Sequence, residues 1–80
     1  RDREKERRKV QNAVDRLEKQ LADLEKEEKE LQASVMKGGM PADQLQKGYE
    51  RLGDLAQRIA AVMAEWETVS AQLQDFGAEA

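Results

Sequence analysis

Carboxylates are the most abundant group in this 80-residue chain that could do chemistry, and their surroundings do not suit catalysis. Seventeen Asp and Glu residues are present, including the adjacent pair Glu27 and Glu28. A catalytic acid or base generally needs a pocket that shifts its pKa, whereas the helical pattern described below places these side chains on solvated faces. His and Cys are absent, which removes imidazole, thiolate and the usual zinc ligands.

Sequence motifs for nucleotide binding and nucleophilic catalysis are also missing. The chain has no P-loop, no dinucleotide-binding fingerprint and no nucleophile beside a base. We therefore expect no catalytic residue, no cofactor-binding residue and no metal ligand in this chain, and we predict that it is not an enzyme.

Basic residues form two clusters that could contact phosphate groups. Clustered Lys and Arg bind nucleic acids by releasing counterions. The net charge is −3, and no aromatic residue lies within the N-terminal cluster to stack on bases. We therefore expect weak, salt-sensitive binding without sequence preference; a solvated lead-in to a helix is the alternative for the N-terminal cluster. The candidate nucleic-acid-binding residues are Arg1, Arg3, Lys5, Arg7, Arg8 and Lys9, together with Lys37, Lys47 and Arg51.

The elements that carry these side chains are separated by the segment Lys37-Gly38-Gly39-Met40-Pro41. Glycines commonly end a helix, and proline suits the first position of the next one. The chain is therefore predicted to be all-α, a two-helix antiparallel coiled-coil hairpin with helices over about 4–36 and 41–76 and a turn at 37–41. Gly77 is expected to release a loose tail over 77–80.

Apolar residues recur at 3-4 spacing in both halves, as in a coiled coil. In the first half, Glu28 fills the one polar place in the series. If residues whose numbers sum to 80 face each other, each member of the first series meets a member of the second series. This agreement supports the hairpin. The first series is Val10, Val14, Leu17, Leu21, Leu24, Glu28, Leu31 and Val35; the second is Ala42, Leu45, Tyr49, Leu52, Ala56, Ile59, Met63, Trp66, Ser70 and Leu73.

A further apolar row on the second helix recurs every seven residues and consists of Leu55, Val62, Val69 and Phe76. One interpretation is a wider core face. The other is a docking strip for a neighbouring domain, a second copy or a ribosomal surface. Two glycines inside the same helix, Gly48 and Gly53, either soften it near the turn or permit close approach of the first helix.

Several segments together resemble the C-terminal coiled-coil domain of F-type ATP-binding-cassette (ABC-F) proteins. These segments are the charged lead-in, the helix LEKQLADLEKEEKELQ, the Gly/Pro turn and the second helix closing on AEWETVSAQL. The most distinctive match is Glu65-Trp66-Glu67 with Leu73 following. The resemblance covers about residues 4–76. It implies a non-catalytic arm of a soluble ATPase that acts on the ribosome in translation, in some members associated with nucleic-acid binding, with ATP and Mg held by cassettes outside this chain.

Several expectations about partners and context follow from this resemblance and from the composition. We expect residues 1–80 to be one coiled-coil domain cut from the C-terminal part of a larger, cytoplasmic protein. Its partners would be nucleic acid or the ribosome, bound weakly, or the cassettes of its own chain, and the hairpin itself would be a monomer away from membranes. A tRNA-contacting arm of an aminoacyl-tRNA synthetase and a plain self-association module remain the alternatives.

Overall fold

The computed structural model describes the backbone of residues 2–78 and the side chains of residues 2–77. Two long helices, α1 (Asp2–Lys37) and α2 (Ala42–Ala78), pack against each other along their length. The molecule is a rod with principal extents of 58 × 16 × 14 Å. The predicted all-α antiparallel hairpin is confirmed.

The turn between the helices depends on two glycines in the left-handed region of backbone space. Gly38 has φ 83° and Gly39 has φ 88°, and no other described residue has a positive φ. α2 begins at Ala42 rather than at the predicted Pro41. Pro41 stands just before the helix, and its carbonyl accepts the first helical hydrogen bond from the Leu45 amide at 2.9 Å.

Both helices extend further than the sequence predicted. α1 is helical from Asp2, so the charged lead-in belongs to the helix. Favourable Glu–Arg pairs three and four residues apart stabilise that segment. The loose tail predicted from Gly77 is wrong for Gly77 and Ala78, which continue α2; residues 79 and 80 lie outside the described part of the chain.

The core shows that the predicted seam of α2 is rotated. The four buried apolar residues of the described chain are Val14, Leu17, Leu55 and Val62. Val14 and Leu17 belong to the predicted α1 series, but Leu55 and Val62 come from the extra row of α2. Two members of the predicted α2 series, Tyr49 and Met63, are instead 59% and 48% exposed.

The rotation has a simple physical cause. One row of α2 borders the core in either arrangement: Leu45, Leu52, Ile59, Trp66 and Leu73. Of the two rows on either side of it, burial of the more apolar one is favoured. As a whole, the row of Leu55, Val62, Val69 and Phe76 is more apolar than the row that contains Tyr49, Ala56, Met63 and Ser70, so α2 turns by about 50° relative to the predicted seam. The wider-core interpretation of the extra row is therefore correct for Leu55 and Val62, which cannot serve as a docking strip while the hairpin is closed; Val69 and Phe76 are half-buried.

The predicted alignment of the helices along the rod agrees with the contacts across it. Glu27 pairs with Arg51, Arg3 with Phe76, and Glu18 with Trp66. The numbers in these pairs sum to values between 78 and 84, on both sides of the predicted 80. The hairpin thus keeps its expected register while α2 is rotated about its own axis.

Gly48 marks a close approach of the two helices near the turn. It is buried, and a Cβ atom at this position would lie 3.1 Å from Val35 Cγ2 and 3.9 Å from Leu31 Cδ1. The same atom at Gly53 would meet nothing within 4 Å. Close approach, the second of the two interpretations of these glycines, therefore applies to Gly48 alone.

Candidate interaction surfaces

The N-terminal basic cluster lies on the first turns of α1, at the open end of the hairpin. Arg3, Lys5, Arg7, Arg8 and Lys9 are all exposed there, while Arg1 lies outside the described residues. Because 3.6 residues make a turn, consecutive basic residues point in different directions around the helix. The cluster therefore surrounds the helix end and does not form a single patch.

Acidic residues within the same turns neutralise part of this cluster. Arg7 donates two hydrogen bonds to Glu4, at 2.9 and 3.4 Å, and Arg8 lies 3.9 Å from the same carboxylate. Lys9 Nζ lies 3.7 Å from a Glu6 oxygen. The hydrogen bond from Arg7 holds the pKa of Glu4 below its usual range and raises the pKa of Arg7. A phosphate group would therefore compete with Glu4 and Glu6 for these cations.

Arg3 connects the beginning of α1 to the end of α2. Its guanidinium lies over the Phe76 ring, 5.1 Å from the centroid, a distance at which a cation is attracted to the ring face. A shallow open depression beside this contact is lined by Glu6, Val10 and Gln72 among others. Arg3 thus has a structural partner within the hairpin.

The second basic cluster is divided by the structure. Arg51 donates hydrogen bonds of 2.7 and 3.1 Å to both carboxylate oxygens of Glu27 across the helix interface. Lys37 and Lys47 are exposed near the turn and form no ion pair within residues 2–78. Arg51 therefore holds the helices together, and two of the three predicted residues keep free ammonium groups.

The Glu27–Arg51 pair should make stability depend on pH. The hydrogen bond from Arg51 lowers the pKa of Glu27, with a smaller contribution from Arg58. A carboxyl with a lowered folded-state pKa stabilises the fold above its unfolded value, about 4.3, and loses that contribution as pH falls through the folded value. Glu27→Gln should therefore lower the thermal midpoint at pH 7 and change it much less at about pH 2.

Glu25→Gln is the control for this prediction because Glu25 is exposed on the same helix and forms no ion pair with a described residue. Circular dichroism melts of both variants and the unmodified chain at the two pH values provide the comparison. An equal loss for Glu27→Gln at both pH values would show that the ion pair is not the source of its effect.

The two adjacent acids of α1 lie in different surroundings. Glu27 is bound to Arg51, whereas Glu28 lies half-buried at the seam. Within residues 2–78, no group of His, Cys, Asp or Glu side chains is arranged to hold a metal ion. Neither of the described helices has an apolar stretch long enough to cross a membrane.

One exposed surface was missed because its residues were predicted to be core. The large apolar side chains exposed in the described chain are Met36, Tyr49 and Met63, at 85%, 59% and 48%. All three lie on one side of the rod, as the helical positions show below. The higher apolar content of the row with Leu55 and Val62 is the one signal in the sequence that points to this surface, although it does not by itself fix the rotation of α2.

Trp66, the centre of the most distinctive sequence motif, joins the two helices. It is half-buried, and its indole Nε1 donates a hydrogen bond to a Glu18 carboxylate oxygen at 3.2 Å. Buried tryptophan usually needs a partner for its N–H group. The Trp66–Glu18 pair supplies that partner 48 residues away in sequence, so the motif has a structural role in closing the hairpin.

Comparison with known proteins identifies the family of this hairpin. A family model described as the ABC transporter C-terminal domain matches residues 5–71, which include nearly all of α1, the turn and most of α2. Searches of curated proteins and of solved structures gave no match. The family match favours the cassette-protein interpretation over a synthetase arm. With its helical hairpin and this match, the chain belongs to the ABC transporter C-terminal domain family, as its resemblance to the C-terminal coiled coil of ABC-F proteins predicted.

Proposed function

We propose that this hairpin is the non-catalytic C-terminal coiled-coil arm of a ribosome-associated ABC-F ATPase. The family match over residues 5–71 carries this proposal. The rod shape supports it, because a 58 Å hairpin exposes most of its described residues for contacts. ATP and Mg would bind to cassettes elsewhere in the parent protein, which would act in the cytoplasm.

Contact with nucleic acid would be made chiefly by the open end of the hairpin. Arg8 and Lys9 are about 70% exposed there and form only long ion pairs, at 3.9 and 3.7 Å. Exposed ion pairs of this kind are weak, so phosphate oxygens can replace the carboxylates. Because Glu4 and Glu6 remain nearby and the net charge is −3, binding should be weak and should fall steeply with salt.

Fluorescence anisotropy tests this contact directly. Labelled RNA and DNA, as duplexes and as single strands, are titrated with the chain at several salt concentrations. The triple variant Lys5→Gln, Arg8→Gln, Lys9→Gln should bind at least tenfold more weakly at low salt and show a shallower salt dependence, because each phosphate contact contributes about one unit to the slope.

A matched control removes the same charge from the middle of the rod. Lys19, Lys26 and Lys29 are exposed on α1 and away from the open end of the hairpin, so their replacement by Gln should have a smaller effect. Equal weakening by both triple variants would mean that only total charge matters. No binding at low salt by the unmodified chain would exclude autonomous nucleic-acid binding and leave contacts with protein or with the cassettes.

A further inference from the structure

The exposed apolar residues of the described chain lie on one side of the hairpin, which we call the Tyr49 flank. On α2 it comprises Tyr49, Ala56 and Met63, spaced by seven residues. On α1 the equivalent positions beside the seam are Glu18, Glu25 and Gln32, and Met36 lies one turn beyond Gln32 on the same face.

The opposite flank differs in character. It carries the cross-helix pair of Arg51 with Glu27, and Arg58 lies one heptad further along α2. None of the exposed large apolar side chains of the described residues is on this side. The two flanks of the rod thus differ: one is held closed by charges, and the other exposes apolar side chains.

The small side chains in the middle of the Tyr49 flank leave room for another helix to approach. Between Tyr49 and Met63 lie Gly53, Ala56 and Ala60, all exposed, and a Cβ atom at Gly53 would meet nothing within 4 Å. Tyr49 and Met63 are 14 positions apart, so they stand about 21 Å apart along the axis, or about four helical turns. Large side chains at both ends and small ones between them fit a helix of about that length.

The charges at the edge of the flank identify the occupant. Glu18 is held by the Trp66 indole at 3.2 Å, so its carboxylate is fixed beside the flank. Glu25 is exposed and forms no ion pair within residues 2–78. By the spacing that places Met36 on this face, Asp15 and Lys29 also border the flank, so its α1 edge carries three carboxylates and one cation. A second copy of this chain would bring two such acidic edges together, and a nucleic acid would meet the same carboxylates. Like charges brought together oppose association, whereas Lys and Arg beside an apolar face would complement this edge.

We propose that the Tyr49 flank docks a basic amphipathic helix of a partner protein, which completes a three-helix bundle. The apolar face of that helix covers Tyr49, Ala56 and Met63, as in other helix-in-groove complexes. Its Lys or Arg side chains lie against Glu18 and Glu25. This inference does not depend on nucleic-acid contact at the open end and would stand if that contact were absent.

The test uses two synthetic helical peptides of four to five turns with the same leucine face. One has Lys and the other Glu at the flanking positions. Binding to the chain carrying ¹³C-labelled Met methyl groups is followed by NMR. The Leu/Lys peptide should bind at least tenfold more tightly than the Leu/Glu peptide. Met36 and Met63 should shift on binding, while Met40 in the turn serves as the internal reference.

Matched variants locate the site. Ala56→Lys places a long cation in the flank and should lower the affinity for the Leu/Lys peptide at least tenfold. Ala61→Lys adds the same side chain at an exposed position outside the flank and should change that affinity less than twofold. Equal binding of both peptides, equal effects of both variants, or no binding would overturn the proposal. A concentration-dependent dimer in sedimentation equilibrium that Ala56→Lys disrupts would overturn it in favour of a second copy.

Discussion

Replacing Leu55 by alanine should lower the free energy of unfolding of the hairpin by about 2–5 kcal/mol, the range for large-to-small changes in a packed core. Leu55 is fully buried, with 0% of its surface exposed, so the substitution removes apolar contacts and leaves a cavity. In a rod this narrow, few other apolar residues are buried, so the loss should be a large part of the total stability. Urea unfolding followed by circular dichroism measures it.

Met63→Ala is the matched control because Met63 lies on the same helix and is 48% exposed. Its cost should stay within about 0.5 kcal/mol, as for other surface substitutions. The seam predicted from the sequence alone requires the reverse order, with Met63 in the core and Leu55 beside it. A larger loss for Met63→Ala than for Leu55→Ala would therefore show that α2 is not rotated as described.

The double substitution Gly38→Ala, Gly39→Ala should destabilise the hairpin by about 2–4 kcal/mol. Both residues have φ above 80°, and each left-handed residue with a Cβ atom costs roughly 1–2 kcal/mol. A Cβ atom at either position would meet nothing within 4 Å, so the cost is one of backbone conformation and not of crowding. The same urea unfolding experiment provides the measurement.

A glycine-to-alanine change inside α2 should instead increase the stability of the hairpin. Gly53 is exposed, helical and free of neighbours at its would-be Cβ, so Gly53→Ala should raise stability by about 0.5–1 kcal/mol. A loss at Gly53, or no loss at the two turn glycines, would contradict the backbone explanation. The three glycines thus test whether the conformation of the turn, and not glycine content as such, holds the hairpin.

The proposed functions assign different surfaces of the rod to different partners. Nucleic acid would meet the open end, where Arg8 and Lys9 are most exposed, and a basic helix would meet the Tyr49 flank. Glu18 and Glu25 lie on the flank and repel phosphate groups. Their charge therefore disfavours nucleic acid at the flank and favours a basic helix there. A variant such as Ala56→Lys should therefore weaken binding of the Leu/Lys peptide without reducing the affinity for nucleic acid.

The sequence by itself determined the hairpin, its turn and its alignment. Gly38, Gly39 and Pro41 interrupt an otherwise continuous helical pattern, and such local breaks do not depend on distant contacts. The 3-4 spacing of apolar residues required two packed helices, and matching the two series along the rod placed the fold point inside the turn. The absence of His and Cys from the sequence limited the possible chemistry in the same direct way.

Only the tertiary structure decided which side of α2 faces α1. Two rows flank Leu52 and Ile59, and either gives 3-4 spacing, so periodicity in one helix leaves two rotations open. Packing against α1 selected Leu55 and Val62 and exposed Tyr49 and Met63. The same rotation brought Arg51 to Glu27, 24 residues away, and created the flank proposed to dock a helix. Local sequence sets the spacing of apolar residues, but burial depends on the partner surface, which the chain acquires only when it folds.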